Sequence, residues 1–162
     1  MTPAIRVAIA ISVGLTITGC SSGRHRSSPP TLPSGWPIAY ATVVVTAEFG
    51  APRGRRSYHQ GIDLAAPAGT KVRATADGKV VFAGRDGSYG RTVVIDHRNG
   101  YRTRYAHLKR VDTRVGARIR RGDVIGRVGK SGNASGTHLH YEVIVDDRQV
   151  NPNEYMVDDR VH

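Results

Sequence analysis

The stretch RTVVIDHRNGYRTRYAHL, residues 91–108, decides the fold class of this chain. Two runs rich in β-branched and aromatic residues flank the dipeptide Asn99-Gly100. Asn and Gly tolerate the positive φ angles that a two-residue hairpin turn requires, and β-branched and aromatic residues favour strands. The stretch therefore predicts two antiparallel strands joined by a tight turn.

From residue 39 onward the chain repeats this pattern of short strand-like runs. The other predicted strands are YATVVVTAEFG, GIDLAA, KVRAT, GKVVFAG, DVIGRVG and HLHYEVIV, and NPNEYM is predicted to close the domain as a turn. Turn-forming pairs such as Asp77-Gly78, Asp86-Gly87 and Ser131-Gly132 separate the runs. Short strands at this spacing predict an all-β fold, a compact two-layer antiparallel sandwich or open barrel.

The chain has 162 residues, enough for one such domain, which we place at residues 39–162. Residues 20–38 are rich in Ser, Pro, Gly and Arg, and this composition predicts a flexible tether. The sequence therefore predicts a single folded unit carried on a linker.

Residues 1–19 have the pattern of a secretory signal, because Arg6 precedes an apolar run that is short for a membrane span. The run ends in ITGC, which resembles a bacterial lipobox, and Cys20 is the only cysteine. The resemblance implies cleavage before Cys20, its lipidation, and export to a bacterial membrane facing the cell wall. In a Gram-negative cell this would be the periplasmic side of the outer membrane. An ordinary signal peptide with an incidental cysteine is the alternative.

The charge balance points to an anionic partner. The chain carries 24 Lys and Arg against 13 Asp and Glu, a formal net charge of +11. Candidates are nucleic acid, lipid head groups or an acidic wall polymer. Nucleic acid is disfavoured, because the signal predicts export and no nucleic-acid-binding motif is present. The loop PRGRR, residues 52–56, either steers an acidic substrate or is simply solvated.

The motif THLHYE, residues 137–142, places two histidines two positions apart in a predicted strand. Side chains two apart in a strand lie on one face, so His138 and His140 point the same way. In HQGID, an extended segment also puts His59 and Asp63 on one face, with a glycine between them that leaves space. If the two segments are neighbours, two imidazoles and a carboxylate converge, which is the ligand set of a catalytic zinc ion with one open position.

Each of these residues also has a structural explanation when it is taken alone, and only their combination favours a metal site. His107, at the end of another predicted strand, is a further candidate for the same site. Glu142 shares the face of the two strand histidines and is either a hydrogen-bond partner of a ligand imidazole or a structural residue. Tyr105 shares a face with His107 and either lines the groove or packs in the core. His97 is predicted to be a turn or surface residue, and the alternative is that it lines the groove.

Three segments together resemble the lysostaphin/LytM-type zinc metalloendopeptidases. They are HQGIDLAAPAGTKVRATADGKVVFAG, YGRTVVIDHRNGYRTRYAHL and GDVIGRVGKSGNASGTHLHYEV, and the resemblance extends over residues 48–152. It implies a two-layer β fold around a groove, one Zn²⁺ ion, and hydrolysis of peptide bonds in bacterial cell-wall peptidoglycan.

The resemblance also implies roles for single residues. His59, Asp63 and His140 match the zinc ligands, whereas His107 and His138 match two catalytic histidines that do not bind the metal. The expected partners are the stem or cross-bridge peptides of peptidoglycan, and a membrane through the lipidated cysteine.

Several alternatives stay open at the level of sequence. The scissile bond is either D-Ala to diaminopimelate or a bond in a glycine-containing bridge. The division of proton transfer and oxyanion stabilisation between the two catalytic histidines is not decided. The alternative function is a non-enzymatic, lipid-anchored activator of another peptidoglycan hydrolase. A zinc-carrying or sugar-phosphotransfer domain on a similar scaffold is a third candidate.

Overall fold

The computed structural model describes residues 32–39 and 43–156. Within these ranges the chain forms eleven β-strands and two 3₁₀ turns. The strands are β1 (Val44–Ala47), β2 (Ile62–Ala65), β3 (Lys71–Arg73), β4 (Gly78–Asp86), β5 (Gly90–Arg98), β6 (Tyr101–Ala106), β7 (Arg110–Val111), β8 (Arg118–Ile119), β9 (Val124–Arg127), β10 (His138–Val145) and β11 (Arg148–Val150). The 3₁₀ turns are Gly87–Tyr89 and Pro152–Glu154.

Two antiparallel sheets form the fold, which confirms the predicted all-β class. The larger sheet has the order β1-β2-β10-β6-β5-β4-β8, with β11 paired to β10, and the smaller sheet has the order β3-β9-β7. Apolar side chains from both sheets form one buried cluster, so the sheets make two layers. The smaller sheet contributes Val72 and Ile125, and the larger sheet contributes Ile62, Leu64, Val93, Ile95, Leu139, Tyr141 and Val143.

The predicted hairpin joins β5 to β6. Asn99 and Gly100 form its two-residue turn with φ angles of 48° and 80°, and Arg98 pairs with Tyr101 on either side of it. Both angles lie in the left-handed region that Asn and Gly adopt at low cost. The prediction from the Asn-Gly pair is therefore confirmed.

Strand β10 lies inside the larger sheet, between β2 and β6. Its core-facing residues are Leu139, Tyr141 and Val143, all fully buried. His138, His140 and Glu142 alternate with them and point to the opposite face of the sheet. One strand therefore anchors the hydrophobic core and presents polar side chains on its other face.

Tyr105 is a core residue. It pairs with Tyr141 in the β6–β10 register and is fully buried, and its hydroxyl lies 3.0 Å from Thr75 Oγ1. The strand ends at Ala106, and His107 has a φ of +59°, so the alternation of faces does not continue from Tyr105 to His107. The expectation that Tyr105 lines the groove is therefore wrong, and the alternative, core packing, holds.

His97 is buried in β5 rather than exposed at a turn, so its predicted placement is wrong. The residue is 1% exposed. Its Nδ1 donates to the Asp77 carbonyl at 2.8 Å, and its Nε2 accepts from the Thr103 hydroxyl at 2.7 Å. Burial lowers the pKa of His97, so the neutral ring serves as a structural hydrogen-bonding group.

Part of the predicted tether packs against the domain. The Ser34 amide donates to the Thr75 carbonyl at 2.9 Å, and the Pro37 carbonyl accepts from the Arg73 amide at 2.8 Å. Ile38 is 1% exposed and joins the core cluster. The packed part of the chain therefore begins before the predicted boundary at residue 39.

The amino-terminal predictions concern a different part of the chain. The signal segment, Cys20 and residues 20–31 of the tether lie outside the described residues. Within residues 32–39 and 43–156, no helix combines the length and the apolar composition that crossing a membrane would require.

Gly61 lies where β2 and β10 approach each other closely. A Cβ at this position would lie 2.3 Å from the Tyr141 carbonyl oxygen and 2.9 Å from Glu142 Cγ. We expect Gly61→Ala to force the strands apart and to lower the free energy of unfolding by about 1–3 kcal/mol, measured by urea denaturation.

Gly84→Ala in β4 is the matched control for this substitution. The Cβ added there would make only an ordinary contact, 3.7 Å from Phe82 Cζ. If Gly61→Ala and Gly84→Ala have equal unfolding free energies, the close approach of β2 and β10 does not constrain the fold.

Candidate active site

The register of β2 against β10 brings the predicted residues together. Asp63 pairs directly with His140, so the two side chains lie side by side on the face away from the core. His59 comes from the loop before β2, where its amide donates to the Ala51 carbonyl and its carbonyl accepts from the Gly50 amide, both at 2.9 Å. His59 thus reaches the same point without belonging to a strand.

Three side-chain atoms meet at the centre of this site. His59 Nε2 lies 3.1 Å from Asp63 Oδ1 and 3.0 Å from His140 Nδ1, and His140 Nδ1 lies 2.9 Å from Asp63 Oδ1. All three residues are buried. The atoms are close enough for one ion to contact all of them at the 2.0–2.2 Å distances typical of zinc ligands.

Hydrogen bonds on the outer sides of the rings set the protonation of the inner sides. His59 Nδ1 lies 2.9 Å from the Glu48 carbonyl oxygen, which can only accept, so this nitrogen carries the hydrogen. His140 Nε2 in the same way donates to Glu142 Oε1 at 3.0 Å. In the neutral rings, His59 Nε2 and His140 Nδ1 are therefore lone-pair acceptors that face a carboxylate oxygen. Three converging acceptors are satisfied together by a cation, so this group can hold a metal ion.

The carboxylates of the site are ionised. Burial raises the pKa of Asp63, but hydrogen bonds from His140 and His59, made when a proton takes the place of an ion on the inward nitrogens, more than offset this and hold it well below its usual range. Burial also raises the pKa of Glu142, and His140, Arg104 and Tyr89 together bring it below its usual value. Both groups can therefore serve as permanent acceptors at neutral pH.

Glu142 orients the His140 ring. It is fully buried, and its Oε1 accepts from His140 Nε2 and, at 2.7 Å, from the Tyr89 hydroxyl. Arg104 Nη1 lies 3.4 Å from Glu142 Oε2, and the Arg104 guanidinium stacks 4.4 Å from the centre of the Tyr89 ring. From the sequence, Glu142 was either a hydrogen-bond partner of a candidate ligand imidazole or a structural residue, and the structure shows the hydrogen bond to His140.

His107 and His138 lie beside the three-atom group without belonging to it. Their ring centres are 4.8 Å apart. His107 Nδ1 donates to the Ser131 carbonyl at 2.8 Å and His138 Nδ1 donates to the Gly136 carbonyl at 3.0 Å, so each neutral ring has an unprotonated Nε2. His138 Nε2 lies 3.6 Å from Asp63 Oδ1 and thus faces the centre of the site.

The left-handed backbone of His107 explains how this ring reaches the site. A regular continuation of β6 would have pointed it into the core, with Tyr105, but its φ of +59° turns the side chain toward the groove. Its amide donates to the Tyr89 carbonyl at 2.9 Å, which helps to hold this uncommon conformation. Burial lowers the pKa of His107, as does the neighbouring His138 ring.

The five residues open into a groove of about 1150 Å³. Tyr89, Gln60 and Arg53 also line it. The sequence indicated only Arg53 among them, through the loop that either steers an acidic substrate or is solvated. All three come from loops and a 3₁₀ turn, where the sequence shows no periodic alternation of polar and apolar residues. The only signals were the Asp86-Gly87 turn before Tyr89 and the arginine-rich loop containing Arg53.

The chain matches a known peptidase family. Residues 57–152, more than half of the chain, match the sequence profile described as "Peptidase family M23". The chain belongs to peptidase family M23. The resemblance to lysostaphin-type enzymes drawn from the sequence is thereby confirmed.

Relatives with named activities support the M23 assignment. The chain is 52% identical over 94 residues to a DD-carboxypeptidase/endopeptidase, Mpg, of Neisseria meningitidis serogroup B. It is 37% identical over 120 residues to the peptidoglycan DD-endopeptidase ShyB of Vibrio cholerae. These matches cover 58% and 71% of the chain, but only 22% and 28% of the two relatives.

Solved peptidase structures have a similar fold. A zinc-containing peptidase from Vibrio cholerae superposes with a TM-score of 0.72 at 34% identity, over 80% of this chain and 41% of that one. The catalytic domain of the antimicrobial peptidase lysostaphin from Staphylococcus simulans superposes with a TM-score of 0.66 at 26% identity, over 70% of this chain and 92% of that one.

The two histidines of β10 should respond differently to substitution. We expect His140→Ala to lower zinc affinity by more than about 100-fold, because even the loss of an outer hydrogen-bond partner of a ligand costs about 10- to 100-fold. We expect His138→Ala to keep its zinc, because His138 Nε2 lies outside the three-atom group. Zinc content after dialysis, measured by mass spectrometry, separates the two cases. Loss of zinc from His138→Ala would contradict the assignment.

Proposed function

We propose that this chain is a zinc-dependent endopeptidase that hydrolyses peptide cross-links of bacterial peptidoglycan. The observation that carries the proposal is the group of three inward-facing acceptors, His59 Nε2, Asp63 Oδ1 and His140 Nδ1, with two further histidines beside it. Outward hydrogen bonds occupy His59 Nδ1 and His140 Nε2, which leaves both inward nitrogens able to bind an ion.

The chemistry of the donor set favours zinc. Two imidazole nitrogens and one carboxylate oxygen suit Zn²⁺, whereas Mg²⁺ and Ca²⁺ prefer sets made of oxygen alone. Three protein ligands are typical of catalytic zinc, which keeps one position for water. When bound, the ion would act as a Lewis acid and lower the pKa of its water toward neutrality.

The other side chains of the site would handle protons and hold the ligands. One of His107 and His138 accepts the proton of the attacking water through its Nε2. The other, in its doubly protonated form, uses its Nε2–H to stabilise the developing oxyanion or to protonate the leaving amine. The lowered pKa of His107, caused mainly by burial, keeps that ring neutral and ready to accept a proton at neutral pH. Glu142 meanwhile holds His140 with Nδ1 directed at the metal position.

The proposed substrate is a bond between two D-configured centres, such as D-Ala to diaminopimelate. The names of two relatives, a DD-carboxypeptidase/endopeptidase and a peptidoglycan DD-endopeptidase, support this choice over a glycine bridge. The net charge of +11 also suits peptidoglycan stem peptides, which carry free carboxylates.

The activity can be tested on purified, cross-linked peptidoglycan. We expect the protein to convert muropeptide dimers to monomers with new amino termini, detected by mass spectrometry. A chelator should abolish the reaction and added zinc should restore it, whereas His138→Ala should reduce turnover about 100- to 10,000-fold with zinc still bound. Unchanged dimers in the presence of the zinc-loaded protein would contradict the proposal and favour the activator function.

We further propose that the chain is exported and lipidated at Cys20, so that the domain acts from a membrane surface. The ITGC motif and the single cysteine support this. The protein isolated from a bacterial membrane fraction should begin at Cys20 and carry the mass of the lipid, and Cys20→Ala should leave the membrane fraction. A mature chain that begins elsewhere and carries no lipid would contradict the proposal.

A further inference from the structure

Two arginines stand on the rim of the groove beside the metal-binding group. Arg53 and Arg56 both line the groove, and Asp63 is the one carboxylate residue among the described residues that line it. Arg53 Nη2 lies 2.6 Å from Asp63 Oδ2, while the other oxygen of that carboxylate faces His59 and His140. A guanidinium group is therefore in direct contact with a residue of the metal-binding group.

The loop that carries Arg53 is held by backbone contacts. Pro52 and Tyr58 form a β-bridge, and the Arg53 amide donates to the Ser57 carbonyl at 2.8 Å. The loop runs directly into His59, whose amide and carbonyl pair with the segment just before the loop. Arg53 and a metal-binding histidine are thus built on one hairpin-like unit, and their relative positions are constrained.

Arg53 retains capacity to bind a second group. Its side chain is 50% exposed, whereas that of Asp63 is 9% exposed. A guanidinium has five N–H donors in a planar fork, and the contact with Asp63 Oδ2 uses Nη2 alone. The exposed part of the group opens onto the groove, where an anionic group of a bound molecule can pair with it.

The proposed scissile bond offers such an anionic group. In a link from D-Ala to the D-centre of diaminopimelate, the carbon attached to the scissile nitrogen also carries a free carboxylate. The carboxylate carbon is two bonds, about 2.5 Å, from that nitrogen. When the scissile carbonyl lies at the metal-binding group, this carboxylate must lie close to it as well. A glycine bridge has no charged group at this position.

We propose that Arg53 binds the free carboxylate on the carbon attached to the scissile nitrogen. The protein thereby prefers cross-links that carry this carboxylate to bridges that have no charged group at this position. The proposal rests on the proposed endopeptidase function and narrows its substrate class. Arg56 adds a second positive charge to the same groove. Arg53 remains in contact with Asp63 and so holds the substrate carboxylate and a metal ligand with one side chain.

The test uses two cross-linked muropeptide dimers that differ at one group. In one dimer the carboxylate next to the scissile nitrogen is free, and in the other it is a carboxamide. We expect the zinc-loaded protein to cleave the acid with a kcat/KM about 10- to 100-fold higher, as for one charge-assisted hydrogen bond. Arg53→Gln should reduce this ratio to near one. Arg55→Gln, in the same loop but outside the groove lining, is the matched control and should keep the ratio.

A binding measurement makes the test independent of turnover. Calorimetry with His138→Ala, whose expected hydrolysis is slow, gives the affinity for each dimer, and the double variant with Arg53→Gln shows whether the preference depends on Arg53. Zinc content is measured for every variant, because Arg53 also contacts Asp63. Arg53→Lys keeps the positive charge but loses the planar guanidinium group, so it should retain part of the preference for the acid over the amide.

The outcomes separate the two proposals. If neither dimer is cleaved, the proposed function fails, and the binding preference still decides the role of Arg53. Equal affinity of His138→Ala for acid and amide overturns the carboxylate site. An equal loss of activity toward both dimers in Arg53→Gln, with the ratio unchanged, also overturns it and leaves Arg53 only as a partner of Asp63.

Discussion

The site depends on three acceptor atoms that face one another across about 3 Å, and on the structure that keeps them there. Burial lowers the pKa of His140, but its hydrogen bonds to Asp63 and Glu142 raise it above the ordinary value, so a proton can join these atoms when no metal ion is bound. The fold fixes the three atoms through their other sides. The Glu48 carbonyl holds His59, Glu142 holds His140, and Arg53 holds Asp63.

Strand β10 links this constraint to the stability of the whole domain. Its one face supplies Leu139 and Tyr141 to the core, and its other face supplies the site. Because β2 and β6 pair with it on either side, His140 lies opposite Asp63 in one direction and opposite Ala106 in the other. A slip of one residue in either register would turn the site residues toward the core and the core residues toward the groove. Core packing therefore also maintains the geometry of the site.

Much of this could be predicted from sequence where a periodic or turn signal exists. The hairpin at Asn99-Gly100 and the faces of β10 followed from local rules. The predictions failed where the backbone departs from those rules. The left-handed φ of His107 separates it from Tyr105, and hydrogen bonds to Asp77 and Thr103 draw His97 into the interior.

Other features carried no readable local pattern. Strands β7, β8 and β11 have only two or three residues each, too few for alternation to be recognised. Residues 34–38 looked like linker by composition, yet Ile38 packs in the core because the folded domain offers it an apolar surface. Tyr89 and Arg53 reach the groove from irregular segments, so only the folded chain reveals their contacts with Glu142 and Asp63.

The central claim is that the three converging acceptors form the metal site and that the two neighbouring histidines stay outside it. Diffraction data from zinc-containing crystals, collected on both sides of the zinc absorption edge, test this most directly. The account predicts one anomalous peak, bonded at about 2.0–2.2 Å to His59 Nε2, Asp63 Oδ1 and His140 Nδ1. A peak bonded to His107 or His138, or to a His140 ring turned to present Nε2, would contradict it.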